Sequence, residues 1–263
     1  MQWQQKEAQV QGKFFWYDLM TTDTKAAQKF YGDVIGWGAQ DSGTPGVDYT
    51  LFTVDGQGVA GLMPIPEDAR KTGARPSWMG YIAVDDVDEA ATRLQQKGGK
   101  VHRPPTDVPG VIRFSVVSDP QGAGFIIAKG LVHDAPPELP VGTPGTVGWR
   151  ELYAADWKPA FAFYEKMFGW TKADAIDMGP MGTYQLFATG NVPVGGMMTK
   201  PDMIPVPYWG YYFNVPGIDS AAARVGANGG KVVNGPIQVP GGQWIVQCVD
   251  PQGAVFAVVA LQR

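Results

Sequence analysis

Apolar residues near the start of the chain first follow the spacing of a strand and then that of a helix. The run from Phe14 to Met20 is rich in aromatic side chains, which is typical of a strand. Asp23 then offers a helix N-cap, and behind it the apolar residues recur at spacings of three and four, so one helical face is apolar. We expect this helix to end at Gly36. The apolar face consists of Ala27, Phe30, Tyr31 and Val34.

Short apolar runs after this helix predict two or three further strands. Two runs cover residues 49–54 and 58–63, and Asp55-Gly56 between them is a hairpin signal. The same order then recurs, because residues 78–84 predict a strand and Asp86 or Asp88 caps another helix. Three more strands are expected at residues 100–101, 112–117 and 124–128, with a turn at Asp119-Pro120-Gln121-Gly122.

The whole pattern occurs twice in the chain. Trp16, Asp23, Tyr31 and Trp37 are each followed 133 positions later by the same residue type, namely Trp149, Asp156, Tyr164 and Trp170. A fixed offset with the same residue types indicates an internal repeat. We therefore expect a first module at residues 12–130, a proline-rich linker at 131–145 and a second module at 146–263.

Composition and charge narrow the classes of function. Hydrophobic residues make up 44% of the chain and charged residues 17%, so each module can bury a core. The net charge is −4 and Lys and Arg do not cluster, which argues against nucleic-acid binding. The single cysteine, Cys248, excludes an internal disulfide, and its apolar neighbours predict a buried residue. No apolar run has the pattern of a signal peptide or transmembrane helix, so we expect a cytoplasmic protein without membrane contact.

Specific motifs carry a family resemblance. Trp16-Tyr17-Asp18-Leu19, Gly98-Gly99-Lys100-Val101 and Asp119-Pro120-Gln121-Gly122, together with their copies, resemble the vicinal oxygen chelate superfamily, which includes glyoxalase I, extradiol dioxygenases and bleomycin-resistance proteins. Within that superfamily, the chain resembles the two-module bacterial glyoxalase-like proteins of the hydroxylase or mycobacterial antigen type. The resemblance implies an α+β fold of two tandem modules. Each module would consist of paired βαβββ units that form a curved mixed sheet with a concave cleft for a ligand.

The resemblance also implies where the family holds a metal ion. The corresponding positions of this chain carry neither histidine nor a carboxylate. A divalent ion needs oxygen or imidazole ligands, so we expect no metal and no other cofactor. The eight positions are Trp16, Gly61, Met79 and Ile126 in the first module and Trp149, Gly196, Gly210 and Ala257 in the second.

Two acidic residues are candidates for function. Strand alternation places Asp18 on the same face as Trp16, and Glu151 on the same face as Trp149. A carboxylate there can bind a cation, accept a hydrogen bond from a ligand, or act as a base if burial raises its pKa. A structural hydrogen bond is the simpler explanation, because the position is acidic in both modules.

Aromatic and polar side chains complete the predicted clefts. Met79 and Tyr81 share one face of a strand, as do Tyr212 and Asn214. An aromatic lining suits a flat or apolar organic ligand, although packing in the core explains any single ring equally well. The candidate ligand-binding residues are Trp16, Asp18, Met79, Tyr81, Arg113, Trp149, Glu151, Tyr212, Asn214 and Trp244.

Arg113 and the two histidines are the remaining polar candidates. Arg113 occupies the position of Trp244 in the other module and can pair with an anionic group or with Asp18. A surface position is the commoner case for an arginine. His102 and His133 are also expected at the surface.

The sequence favours a metal-independent protein that binds a small, apolar or aromatic molecule. A metal-dependent lyase or dioxygenase with Asp18 or Glu151 as non-standard ligands is the alternative, and an interaction protein with vestigial clefts is a third. Whether the chain is an enzyme stays open. The expected partner is a small molecule, with the chain present as a monomer with internally paired modules or as a homodimer.

Overall fold

The described residues form two mixed β-sheets with a small number of helices. The computed structural model describes residues 11–44, 46–131 and 139–263. Each half of the chain contributes one eight-stranded sheet, which confirms the predicted α+β class and the tandem repeat. Within these ranges, no helix combines the length and the apolar character that crossing a membrane requires.

The first half follows the predicted order of elements, with one additional short helix between the fourth and fifth strands. Its helices are α1 (Thr24–Ile35), α2 (Glu67–Lys71) and α3 (Val87–Gln96). Its strands are β1 (Phe14–Thr21), β2 (Gly38–Asp41), β3 (Thr50–Val54), β4 (Gln57–Pro64), β5 (Ser77–Ala83), β6 (Lys100–Val108), β7 (Ile112–Ser118) and β8 (Gly124–Gly130).

The second half repeats this order without an equivalent of α2. Its helices are α4 (Trp157–Phe168) and α5 (Ile218–Ala227), with a 3-10 turn at Gly179–Met181. Its strands are β9 (Val147–Ala154), β10 (Thr171–Asp177), β11 (Thr183–Thr189), β12 (Val192–Thr199), β13 (Tyr208–Asn214), β14 (Lys231–Gln238), β15 (Trp244–Val249) and β16 (Val255–Ala260).

The two sheets have the same topology. The first has the order β2-β3-β4-β1-β5-β8-β7-β6 and the second β10-β11-β12-β9-β13-β16-β15-β14. In each βαβββ unit the first strand runs parallel to the last, as β1 does to β4 and β13 to β16. The remaining strands of each βαβββ unit form antiparallel hairpins. Every βαβββ unit therefore contributes four adjacent strands to its sheet.

Helix α1 shows why the sequence predicts these elements well. The Asp23 side chain accepts a hydrogen bond from the backbone nitrogen of Ala26 at 2.9 Å, which satisfies a free N–H of the first turn. Gly36 ends the helix in the left-handed region, with φ of 95°, where a side chain is disfavoured. The predicted apolar face is buried along its whole length.

The described residues group into two compact units, and each unit draws on both halves of the chain. Of the described residues, the first unit combines 11–15, 80–131 and 150–209. The second combines 16–44, 46–79, 139–149 and 210–263. The predicted module boundaries follow the sequence repeat and remain a prediction. The predicted linker at 131–145 is described only at residue 131 and from residue 139 onward, and His133 lies outside the described residues.

The core of each unit contains a tyrosine that joins elements of both halves. In the second unit, the Trp78 indole donates to the Tyr31 hydroxyl at 2.9 Å, and that hydroxyl donates to Asp250 at 3.1 Å. In the first unit, Trp209, Tyr164 and Asp119 repeat the arrangement at 2.9 and 3.1 Å. Both tyrosines are fully buried, so these hydrogen bonds satisfy polar groups that have left water.

Candidate functional site

Trp16, Asp18 and Tyr49 form a hydrogen-bonded triad in the second unit. The Trp16 indole N–H is shared between Asp18 Oδ1 at 2.9 Å and the Tyr49 hydroxyl at 2.8 Å. The Tyr49 hydroxyl donates to the same Asp18 oxygen at 2.6 Å, a short bond because the acceptor is a carboxylate. Asp18 is only 2% exposed. The structure thus places Trp16 and Asp18 on one face, as predicted, and adds Tyr49.

Tyr49 keeps its proton in this triad. Burial raises the pKa of its hydroxyl far above the usual value near 10, and the negative charge of Asp18 raises that pKa further. The phenol therefore acts as a donor to Asp18 across the pH range in which the protein is handled. The Trp16 N–H and the Tyr49 hydroxyl both donate to one oxygen of Asp18, and these bonds hold the Trp16 ring beside the carboxylate.

Gly61 lies directly beside Asp18 in the sheet, and the space above it is already filled. Its Cα pairs with that of Asp18 across β1 and β4. A Cβ built on Gly61 would overlap both the Tyr49 hydroxyl and Asp18 Oδ1. In the second half, a Cβ on Gly196 would likewise overlap the ring of Tyr184. Neither position has room for a larger side chain while these tyrosines stay in place.

Glu151 is buried among tyrosines in the first unit. It is 7% exposed, and its Cα pairs with that of Gly196 across β9 and β12. Burial raises the pKa of the Tyr208 hydroxyl well above its usual value, and the charge of Glu151 contributes to that shift. The Tyr208 ring stacks on Tyr153 with 5.0 Å between ring centroids. Glu151 therefore lies in an aromatic environment rather than in an acidic cluster.

An apolar cluster surrounds Trp149 in the second unit. Tyr212, Ala257 and Val259 form its buried part, each 3% exposed, and the partly buried Trp149 and Ile245 pack against it. Two predicted cleft residues, Trp149 and Tyr212, are thus brought together. The cluster also contains Ala257, one of the eight positions where the resemblance implies a metal ligand.

A row of polar contacts leads into this cluster from the edge of the sheet. Asn234 Nδ2 donates to Gln247 Oε1 at 3.0 Å, and Gln247 Nε2 donates to the Tyr212 hydroxyl at 2.6 Å. Asn234 is exposed, Gln247 is half-buried and Tyr212 is buried. The hydrogen bonds therefore lead from a solvent-exposed side chain to the buried part of the cluster.

The remaining predicted cleft residues have different neighbours. Arg113 Nε lies 2.7 Å from Asp88 Oδ2, and its Nη1 lies 2.9 Å from Asp107 Oδ1. Arg113 therefore pairs with these two surface carboxylates and not with Asp18. Its guanidinium holds the pKa of Asp88 below the usual range. The Trp244 ring lies 4.8 Å from the guanidinium of Arg263.

Three further predicted residues lie on the central strands. The Asn214 side-chain amide donates to the Thr146 carbonyl at 3.1 Å, which ties β13 to the residue that precedes β9. Tyr81 is 8% exposed and its ring lies 6.1 Å from that of Phe15. Met79 lies on the same strand, β5, and is half-buried.

The chain's donor set does not fit the metal that the fold family implies. In the part of the chain that the structure describes, no three His, Cys, Asp or Glu side chains come close enough to hold an ion. Trp16 is fixed by the triad, Gly61 has no room for a ligand side chain, and Trp149 and Ala257 belong to an apolar cluster. A hard or borderline cation needs several oxygen or imidazole ligands, and the side chains at these four positions supply none.

Sequence reasoning missed several aromatic and amide side chains of these sites. Tyr49 and Tyr184 are copies of each other, which was visible from the repeat, but the strand register that carries them over Gly61 and Gly196 was not. Tyr208 and Gln247 have no distinguishing motif. Cys248 is buried as predicted, and burial raises the pKa of its thiol to about 12.

Curated proteins of similar sequence span nearly the whole chain. "Putative glyoxylase CFP32" of Mycobacterium tuberculosis is 37% identical over 252 residues, which cover 95% of each chain. "Anthracycline biosynthesis protein DauV" of Streptomyces sp. is 33% identical over 261 residues, which cover 94% of this chain and 93% of that protein.

Solved structures show the same fold at low sequence identity. The Mn(II)-bound glyoxalase from Novosphingobium aromaticivorans matches with a TM-score of 0.63 at 18% identity, over 97% of this chain and 83% of that one. Homoprotocatechuate 2,3-dioxygenase from Brevibacterium fuscum matches with a TM-score of 0.66 at 14% identity, over 96% of this chain and 82% of that one.

The family model confirms what the repeated motifs predict. It matches the chain twice, at residues 13–127 and 146–258, so both copies of the repeat are recognised separately. Together with relatives that are more than 30% identical along most of their length, this match defines the family. The chain belongs to the Glyoxalase/Bleomycin resistance protein/Dioxygenase superfamily, with two modules of that family in tandem.

Proposed function

We propose that this protein binds a small, flat aromatic molecule against the sheet face that carries Trp149 and Tyr212, without the help of a divalent metal ion. The observation that carries the proposal is the apolar cluster around Trp149. Its inner members are buried, while Trp149 and Ile245 keep part of their surface. A partly exposed indole on a rigid apolar floor is a suitable platform for ring stacking.

The polar groups near the platform suit an organic ligand better than an ion. The half-buried Gln247 donates to the hydroxyl of the buried Tyr212, so the polar groups beside the apolar surface are neutral. Ligand sites of this kind combine an apolar lining with a few placed polar groups that fix orientation. The position that the family resemblance assigns to a metal-binding glutamate is Ala257, which supplies contact area and no charge.

The names of two relatives support an aromatic ligand. DauV and a second protein, "Anthracycline biosynthesis protein DnrV" of Streptomyces peucetius, are 33% and 34% identical to this chain and are named for the biosynthesis of anthracyclines. Anthracyclines contain a flat system of fused rings. We extend only the general ligand class, a flat aromatic molecule, to the present protein.

Titration with alizarin, a dihydroxyanthraquinone, tests the proposal. We expect saturable quenching of tryptophan fluorescence and an increase in melting temperature, because a ligand that binds only the folded state stabilises it. Trp149→Ala should weaken binding about tenfold, the loss expected from removing one stacked ring. Trp157→Ala is the matched control, because Trp157 is also partly buried but lies at the start of α4 in the other unit, and it should leave affinity unchanged.

Two results would contradict the proposal in different ways. A panel of flat aromatic compounds that includes alizarin, with no binding and no stabilisation, would leave the vestigial-cleft interpretation. Stoichiometric Zn, Ni, Mn or Fe that resists dialysis, in protein purified without chelators, would favour the metal-dependent lyase or dioxygenase with Asp18 or Glu151 as ligands.

A further inference from the structure

We infer that the first compact unit has a ligand site of its own, in which Arg103 binds the carboxylate of a flat aromatic acid that lies against Phe114. Both residues belong to that unit, whereas the platform of Trp149 belongs to the second unit. The site is therefore distinct from that of the proposed function and takes a negatively charged class of ligand.

Arg103 and Phe114 lie on one face of the first sheet. Arg103 on the edge strand β6 pairs with Val116 on β7, and Phe114 lies on the same face of β7 two residues earlier. Val116 pairs in turn with Ile126 on β8. Phe114 and Val116 are half-buried and Ile126 is buried. This face therefore has an apolar surface with a cationic side chain at its open edge.

The Arg103 guanidinium lies over the Phe114 ring, with 5.3 Å between its central carbon and the ring centroid. The ring attracts the cation and supplies no oxygen acceptor for its five N–H donors. Among the described residues, the salt bridges do not include Arg103. A carboxylate is the group that matches the guanidinium with two parallel hydrogen bonds, and an aromatic acid would add ring contact with Phe114.

The backbone of β6 holds Arg103 at this edge. The buried Ser115 hydroxyl donates to the Arg103 carbonyl at 2.6 Å. The register between β6 and β7 shifts on both sides of Arg103, and irregularities of this kind redirect a side chain relative to the sheet. Pro104 and Pro105 follow directly and have no N–H that could pair with another strand. The edge is thus suited to presenting a side chain rather than to accepting a further strand.

The acidic residue of β6 does not neutralise Arg103. Asp107 pairs with Arg113 across β6 and β7, and Arg113 also binds Asp88 on α3, so these carboxylates lie on the helix side of the sheet. Glu151, a buried carboxylate of the same unit, lies on β9, which belongs to the other sheet. The charge of Arg103 therefore acts on the face that carries Phe114.

The copy of this arrangement in the second unit is uncharged. Asn234 occupies the position of Arg103, and Ile245 occupies that of Phe114. Ile245 packs in the apolar cluster around Trp149. The repeated fold therefore places a neutral amide beside an apolar surface in one unit and a cation beside an aromatic ring in the other. A negatively charged ligand distinguishes the two, because only the cation attracts it.

Two probes of the same shape and different charge test the inference. Naphthoate and naphthamide share one ring system, and isothermal titration calorimetry measures their dissociation constants. We expect the unaltered protein to bind naphthoate about fivefold to tenfold more tightly, the factor expected from a charge-assisted pair at an exposed edge. Arg103→Gln should remove this preference by weakening the binding of naphthoate alone. Arg103→Lys should keep part of it, because lysine retains the charge and loses the two parallel donors.

Lys129→Gln is the matched control for charge. The exposed Lys129 pairs with Arg113, so it lies on the other face of the same strands, and its loss should leave the preference unchanged. Phe114→Leu should weaken the binding of both probes, because both lose a ring contact. The preference should also persist in Trp149→Ala, which removes the platform of the other unit.

Several results would overturn the inference. They are equal affinity of the unaltered protein for the two probes, a preference that survives Arg103→Gln, and an equal loss of preference in Lys129→Gln, which would show an effect of net charge alone. A preference that disappears in Trp149→Ala would place the anion in the other unit, and absence of binding by both probes would remove the site altogether. Each of these results leaves the proposed function to be decided by alizarin and its response to Trp149→Ala.

Discussion

Gly61 lies at a position of the first sheet that has no room for a side chain. Its neighbour in register, Asp18, and the Tyr49 hydroxyl occupy the space that a methyl group would take. Both are held in place by the bonds to Trp16. A side chain at position 61 must therefore break the triad or push the strands apart.

Gly61→Ala should lower the free energy of unfolding by about 1–3 kcal/mol, the usual cost of overpacking a filled site. Gly226→Ala is the matched control, because nothing lies within 4 Å of a Cβ at that helical position. That control should raise stability by about 0.4–1 kcal/mol, since alanine restricts the unfolded chain. Urea unfolding of the three proteins measures both effects, and equal stability of Gly61→Ala and the unaltered protein would contradict the triad geometry.

For single residues, the sequence predicted which side chains share a strand face and which are copies of each other. Strand alternation placed Trp16 with Asp18, and the repeat identified Trp149 and Glu151 as their copies. Side chains that reach across strands, such as Tyr49 and Gln247, depend on register, and no local pattern specifies register between distant segments. The ion pairs of Arg113 with Asp88 on α3 and Asp107 on β6 also join separate segments, so no local pattern predicted them.

Each of the two Asp-Pro-Gln-Gly turns begins with a buried aspartate. Asp250 Oδ1 accepts from the backbone nitrogens of Gln252 and Ala254 at 2.9 and 2.8 Å, and its other oxygen accepts from Tyr31. Burial nevertheless raises the pKa of this carboxyl above its ordinary value, and the hydrogen bonds only partly oppose that shift. Asp119 has the same arrangement in the first unit.

A raised pKa in the folded state means that the folded protein holds the Asp250 proton more tightly than the unfolded chain does. The unfavourable contribution of the buried charge is therefore present at neutral pH, and it disappears as the pH falls through the folded pKa towards the ordinary value of about 4. Relative to Asp250→Asn, which stays neutral, the unaltered protein should gain stability over that range. Urea unfolding of both proteins at pH 7 and at about pH 4.5 measures the change, and a difference that stays constant would contradict it.

Long elements were predicted more successfully than short ones. Helices α1 and α3 and strands such as β1, β5 and β8 have strong periodicity, clear caps or glycine ends, and were placed within a few residues. The single-turn helix α2 was missed, and the short strand β2 was covered only by the expectation of two or three strands after α1. Their residues are mostly exposed, so their conformation reflects edge pairing and local turns rather than an apolar pattern.

At the scale of the whole molecule, the sequence repeat and the compact units do not coincide. The repeat divides the chain near the linker, whereas each compact unit takes segments from both halves. The Tyr31–Asp250 and Tyr164–Asp119 bonds show this in atomic detail, because each joins a helix of one half to a turn of the other. Neither half contains a complete core of its own.

Separate expression of residues 1–131 and 139–263 tests this arrangement. Neither fragment should give a folded monomer, because each lacks the partners of its buried aromatic residues. Mixing the two should restore near-UV circular dichroism and a particle of the mass of the whole chain. A single fragment that is monomeric, with native-like near-UV signal and cooperative unfolding, would show that one half folds independently.

The origin of each unit's segments has a consequence for the order in which the protein forms during translation. Every segment of the first unit has been synthesised by Trp209, and its Tyr164–Asp119 bond joins residues 45 positions apart. The second unit requires the segment Gly210–Arg263, and its Tyr31–Asp250 bond spans 219 positions. Residues 16–79 must therefore wait for the last part of the chain to leave the ribosome, with their aromatic side chains not yet covered. Chaperone binding to the nascent chain is accordingly expected at this early segment.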